Sequence, residues 1–498
     1  MKKMKWIPSL TPVLAWILAI AATLHAAAAA PDLPQIPPHT FSLPDYGGVP
    51  DGVTLNTEAF SKAIAAVSQA GGGRLTVPSG LWLTGPITLC SHLDLHLDRG
   101  AVILFSGDYH LYPLRVFDVR GEKEVGSAPP VFGMGLEDVA ITGEGILDGG
   151  GSAWRPVKRG KMGETDWNAL VHSGGVLDAR KETWWPSRSA MNGENVFNQL
   201  ESAGDVNPAD YETIHDWLRP RMVRLLDCRR VLLQGVTFQN PPNWTLNPQL
   251  CENVSILNVT VHNPPYAQNS DALDLESCRH ALIRNCTFEA GDDGICLKSG
   301  KDAVGRRIGV PTEDVDVEGC TVYYAHGGFV VGSEMSGGVR NIRVHNCTFM
   351  GTEVGLRFKS TRGRGGVVEN VDISDIHMAN ILGGAIDFNL FYGGKPPGDT
   401  AGQEAEDAAP VDEGTPQFRN IRISHLTCRG AMRAILLEGL PEMPLKNIVL
   451  NDVMITSREG VWVQDASHVD FENVRVDNQT GPALTEKAVQ HSRIQVLK

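Results

Sequence analysis

The sequence predicts an all-β solenoid, a right-handed parallel β-helix, on three observations. Short apolar segments recur from residue 230 onward, each alternates apolar and polar residues, and each breaks at a residue suited to a sharp bend. The segments are Val231–Phe238, Val254–Val261, Ala281–Phe288, Val315–Val322, Ile342–Phe349, Val371–Met378, Ile421–Cys428, Ile448–Ile455 and Val469–Val476. Their starts lie 23, 27, 34, 27, 29, 50, 27 and 21 residues apart. A period in that range means stacked units that bury one continuous column. The bends fall at Gly235, Asn258, Asn285, Gly319, Asn346, Asp375, His425, Asp452 and Asn473. Gly, Asn and Asp tolerate left-handed backbone, and Asn side chains stacked at one position can bond along the axis. The segments are β-branched and lack an apolar period of 3.6, so helical repeats fit poorly.

The remaining elements follow in order. Residues 1–30 combine Lys2, Lys3 and Lys5 with an apolar run and a small-residue stretch ending at Ala30. That pattern is expected of a signal peptide, and it predicts an exported protein, periplasmic or secreted. No later stretch is long and apolar enough to span a bilayer, so no membrane association is expected after cleavage. Residues 31–498 are then expected to form a single domain. Thr57 to Gln69 predicts a short amphipathic helix with Ala59, Phe60, Ala63, Ile64 and Val67 on one side. An open solenoid end needs a cap, and this helix is the candidate. Val139–Gly143 and Gly145–Asp148 resemble earlier coils. Two insertions break the repeat. Residues 151–222 carry five of the ten tryptophans, and residues 393–416 are Gly/Pro-rich and acidic, an expected mobile loop.

Composition narrows the function. The chain has 498 residues and a net charge of −14, which becomes −17 without its three N-terminal lysines. So negative a chain is not a general nucleic-acid binder, because phosphate neutralisation needs clustered Lys and Arg. With 42% hydrophobic residues it is not disordered. Nine cysteines leave at least one unpaired. None shows metal spacing, and they are expected as small buried hydrophobes in stacked positions. No cofactor motif appears.

A second register organises the polar residues. The pairs Ala272-Leu273, Gly294-Ile295, Gly328-Phe329, Gly355-Leu356 and Ala385-Ile386 align as starts of successive strands. Asp271 and Asp293 then fall one place before the small residue, and Asp292 and His326 two places before it. Arg357 falls two places after it, Lys298 and Lys359 four places after. With strands stacked at about 4.8 Å, three carboxylates, one His, one Arg and two Lys share one patch. Adjacent carboxylates are costly to bury unpaired, so Gly291-Asp-Asp-Gly294 is expected to bend until both reach solvent. An exposed pair of Lys298 with Glu276, one coil away, would be a bland alternative role. A cluster of like charges flanked by cations predicts raised carboxyl pKa values. One protonated and one ionised carboxyl is the equipment for glycoside hydrolysis, and the cations suit an anionic sugar.

Asn269-Ser270-Asp271, Gly291-Asp292-Asp293, His326-Gly327 and Arg357-Phe358-Lys359 resemble, in order and spacing, the four motifs of the polygalacturonases, glycoside hydrolase family 28. Asp45-Tyr46-Gly47, Asp51-Gly52 and Asn56-Thr57 resemble the first coil and cap of pectin-degrading β-helices. The resemblance implies a pectin-lyase-like solenoid and a galacturonate-containing pectic substrate. It implies that Asp292 is the general acid, that Asp271 and Asp293 activate water with inversion, and that His326 sets the acid's protonation. It implies that Arg357 and Lys359 bind a substrate carboxylate; Lys298 joins them from its column position. Ser270, Phe358 and Ala325 depart from the family's Thr, Ile and Gly. Trp244–Pro248 and Gly300–Pro311 resemble exo-acting bacterial members, and the Trp-rich insertion is placed to wall off one end of a groove. The expectation is therefore exo action on pectic oligosaccharides. A rhamnogalacturonan hydrolase of the same family, a calcium-dependent pectate lyase and a non-catalytic carbohydrate-binding solenoid remain alternatives.

Overall fold

The computed structural model describes residues 30–393 and 408–497. The expected signal peptide, apart from Ala30, and most of the expected acidic loop lie outside the described residues. The main sheet holds 28 strands, paired parallel throughout. Along most of the solenoid a coil contributes three short strands, each paired with its equivalent in the next coil; toward the C-terminal end they run together into the long strands Val367–Asn389, Gln417–Glu438 and Leu445–Gln490. One column runs Val131–Met134, Val223–Leu226, Leu246–Gln249, Leu273–Glu276, Ile295–Lys298, Gly327–Val331 and Val354–Lys359. The second carries the repeat, with Val139 opposite Val231, Val231 opposite Val254, and so on through Ile448. The third runs Gly80–Thr84, Ala101–Phe105, Ile146–Asp148, Thr237–Gln239, Thr260–His262 and onward. No described helix is long and apolar enough to cross a membrane.

The bends are where the sequence places them. All nine bend residues have φ between 51° and 78°. The hydrogen-bonded Asn ladder, however, forms at the other corner. It runs Asn447 to Asn420 to Asn370 to Asn341 to Asp314, each amide donating to the next residue's side chain. These residues also adopt positive φ, so a second left-handed corner precedes each repeat segment.

The cap is helix α1, Thr57–Gln69, and the five residues expected on its inner face are buried. Inside the column, Val254, Ile256, Phe238 and Phe288 are fully enclosed, and Phe358 stacks on Phe388 with ring centroids 4.2 Å apart. The small residue that starts each first-column strand has a packing cause. A Cβ at Gly294 would lie 2.5 Å from the Val322 side chain, and one at Gly328 2.5 Å from Phe349. Eight of the nine cysteines are buried and all nine are free thiols.

Residues 151–222 leave the solenoid between Ile146–Asp148 and Val223–Leu226. They form a small antiparallel sheet with helices α2, Glu164–His172, and α3, Arg188–Ser202. Trp167 and Trp184 close a separate apolar cluster against Tyr266.

Candidate active site

The corner joining each third strand to the next coil's first strand carries the chemistry. Asp271, Asp292, Asp293 and His326 sit on successive corners, while Lys298, Arg357 and Lys359 sit on the first-column strands that follow. Backbone bonds fix the stack: His326 N–H donates to Asp292 O at 2.8 Å and Ala272 N–H to Asp293 O at 2.9 Å. Ser270 tightens the corner, donating to Ala267 O at 2.8 Å and accepting from Gly291 N–H at 3.1 Å. As a result one carboxylate oxygen from each of Asp271, Asp292 and Asp293 lies within 4.8 Å of the other two. All seven residues singled out in the sequence meet at this site.

The structure corrects two details. Only Asp292 reaches solvent, with 22% of its side chain exposed against 2% for Asp293. Asp293 needs no solvent because Lys359 Nζ donates to it at 2.7 Å and Arg357 Nη1 lies 3.6 Å away. Lys298 is not an exposed partner of Glu276. It is buried, 3.2 Å from Asp274, 3.5 Å from Glu334 and 3.7 Å from Asp271. Its ammonium also lies 3.8 Å from the Trp244 ring centroid, a cation–π contact.

The carboxylates differ in proton affinity. Burial, then the charges of Asp274 and Asp292, push Asp271 well above the ordinary range. Burial also raises Asp274, to about 7, against the pull of Lys298. Burial works in the same direction on Asp292, but the hydrogen bond from His326, with that ring's charge whenever it is protonated, then Lys359 and Lys298, overcome it and hold Asp292 low. Of the three motif carboxyls, the raised one is therefore Asp271, not the expected acid Asp292. His326 Nδ1 lies 3.2 Å from Asp292. For Lys298, burial opposes the charged form, but Asp274 and Glu334 keep its pKa above the normal range.

Sequence reasoning missed several site residues. From the insertion, Lys161 Nζ lies 2.9 Å from His326 Nε2 and donates to Gly291 O at 3.2 Å. Arg219 donates to Asn269 Oδ1 at 2.8 Å and to Gln268 O at 3.1 Å. Burial lowers the Arg219 guanidinium to about 10, with neighbouring Arg155 adding to the effect and Asp292 and Asp271 opposing it. Tyr392 lies under Lys359 at 5.0 Å. One signal was available: the insertion begins directly after Asp148, at the corner position that carries the motif residues two and more coils later.

Residues 158–462 match the model for glycosyl hydrolases family 28. The chain belongs to glycoside hydrolase family 28. A Vitis vinifera protein named "Probable polygalacturonase" is 29% identical over 427 residues, 84% of this chain and 74% of its own. The exo-poly-alpha-D-galacturonosidase of Dickeya chrysanthemi is 26% identical over 456 residues, 89% of this chain and 71% of its own. The crystal structure of a hyperthermoactive exopolygalacturonase from Thermotoga maritima superposes with a TM-score of 0.72 at 34% identity, covering 87% of this chain and 90% of that one. The family 28 chain is thus a glycoside hydrolase on a parallel β-helix.

Proposed function

We propose that this family 28 enzyme removes terminal galacturonate from α-1,4-linked galacturonan or its oligomers, with inversion at the anomeric carbon. One observation carries the reading: three clustered carboxylates of which only Asp292 opens to the cleft, with cations on their flank. Asp292 protonates the departing glycosidic oxygen, because it alone of the three faces solvent. Asp271 and Asp293, on the floor, take the proton of the attacking water. Arg357 and Lys359 bind a substrate carboxylate beside the cleaved bond, and Lys298 keeps the floor close to neutral.

The proton must reside on Asp292 when the bond breaks. Asp271 feels the charge of Asp292, so the two titrate together, and Lys359 is among the groups holding Asp292 ionised. A substrate carboxylate pairing with Lys359 and Arg357 cancels that pull and moves the proton toward Asp292. The oxygens lie within 4.8 Å of one another, closer than the separation of an ordinary inverting pair, about 6.5–9.5 Å. That rule describes two carboxyls with a water between them; here two carboxyls share the water and the third is the acid. Inversion rests on family membership.

Exo action is supported by the relatives' names and by the insertion, which sets Lys161 and Arg219 at one side of the carboxylates. We further propose that residues 31–498 form one catalytic domain, exported by the first thirty residues.

Product analysis on polygalacturonic acid with chelator present, beside Asp292→Asn, tests the reading. The expected result is monomeric galacturonate of inverted configuration from the first minutes, lost in the variant. Mixed oligomers overturn exo action, a retained anomer overturns inversion, and no release from polymer or short galacturonides overturns the substrate.

A further inference from the structure

The insertion contributes a lysine to the histidine that touches the proposed acid. Lys161 is held by two contacts, Gly291 O at 3.2 Å and His326 Nε2 at 2.9 Å. An ammonium has donors only, so in this contact Nε2 must accept. The imidazole is then neutral with its proton on Nδ1, and Nδ1 faces Asp292 Oδ1 at 3.2 Å. The other charged groups around the ring are Glu353, 3.9 Å from Nε2, and Arg357, whose Nη1 donates to His326 O at 3.4 Å. Glu353 favours an imidazolium; Lys161 stands closer and opposes one. Burial draws the Lys161 pKa down, while Asp292 and Glu353 support its charge.

We propose that Lys161 is a positioning residue that holds His326 as the neutral Nδ1–H tautomer, so that the imidazole donates to Asp292 without placing a full positive charge against it. This rests on Asp292 being the general acid. A neutral donor fixes one oxygen of Asp292 and leaves the other free to carry the proton for the leaving group. An imidazolium in the same place favours the carboxylate and empties the acid of its proton. Without Lys161, Asp292 and Glu353 charge the ring, and the positive charge moves from Nζ onto the atom that contacts the acid.

The test combines Lys161→Met and Lys161→Arg with ¹⁵N-histidine NMR, the His326 signals being assigned by difference from His326→Gln. In the parent enzyme the expected signals are those of a ring protonated at Nδ1 and bare at Nε2. In Lys161→Met the bare Nε2 signal should be lost, and the alkaline limb of kcat/KM should move to lower pH. The value of kcat should drop about tenfold with KM within about threefold, and Lys161→Arg should restore most of it. An unchanged tautomer in Lys161→Met overturns the proposal. So does a large rise in KM with an unaltered pH profile, which would make Lys161 a contact for a substrate anion. If Asp292→Asn stays active, the acid assignment fails instead, and the NMR still reads the tautomer.

Discussion

Replacing Lys359 by Met leaves the Asp293 carboxylate buried without its closest cation. In the parent, Lys359 Nζ sits 2.7 Å from Asp293, both side chains are nearly inaccessible, and Arg357 remains 3.6 Å away. Removing one partner of a buried pair costs about 3–5 kcal/mol, and the surviving Arg357 puts this case near 3. For a chain of this length roughly 1 kcal/mol corresponds to one degree, so the apparent Tm should fall by about 3 °C at pH 7. Paired calorimetric scans of the variant and the parent at that pH measure it. No deficit would show that the buried pair contributes nothing.

Three further outcomes follow from the site and the column. Because a substrate carboxylate offsets Lys359, the pKa of Asp292 should be higher in the complex than in the free enzyme, so the alkaline limb of kcat should lie at higher pH than that of kcat/KM; coincident limbs would remove the coupling. Asp274 has a folded pKa raised to about 7 by burial, so its contribution is present below about pH 4 and lost as pH rises through 7. Asp274→Asn should flatten the stability curve over that interval, as followed by urea unfolding across a pH series. Phe358→Ala removes a fully buried ring stacked on Phe388 and should cost about 3–5 kcal/mol; a loss under 1 kcal/mol by urea unfolding would mean that the neighbouring coils close the gap.

Much of this was legible because a solenoid turns sequence spacing into geometry. Val231, Val254 and Ala281 could be aligned by eye, and they pair in that register. The small-residue alignment likewise put Leu273 opposite Ile295, Ile295 opposite Phe329 and Phe329 opposite Leu356. What spacing could not give was direction. Alternation says nothing about whether Asp293 turns to water or to Lys359, nor that Lys298 folds inward onto Trp244. Proton affinity was hidden for the same reason, since it depends on how far each of three neighbouring carboxyls is withdrawn from solvent. Lys161 and Arg219 lie outside the repeat, where no periodicity locates a side chain.

The chain departs from the solenoid after Asp148 and rejoins at Val223, yet both flanking strands keep their places, Ile146–Asp148 beside Thr237–Gln239 and Val131–Met134 beside Val223–Leu226. The excursion is a detour that returns to its starting corner. Bond-breaking groups on the coils and cleft-shaping groups on the detour can therefore drift at separate evolutionary rates. A lineage could trade one detour for another, and with it the shape of sugar admitted, without re-registering a single strand.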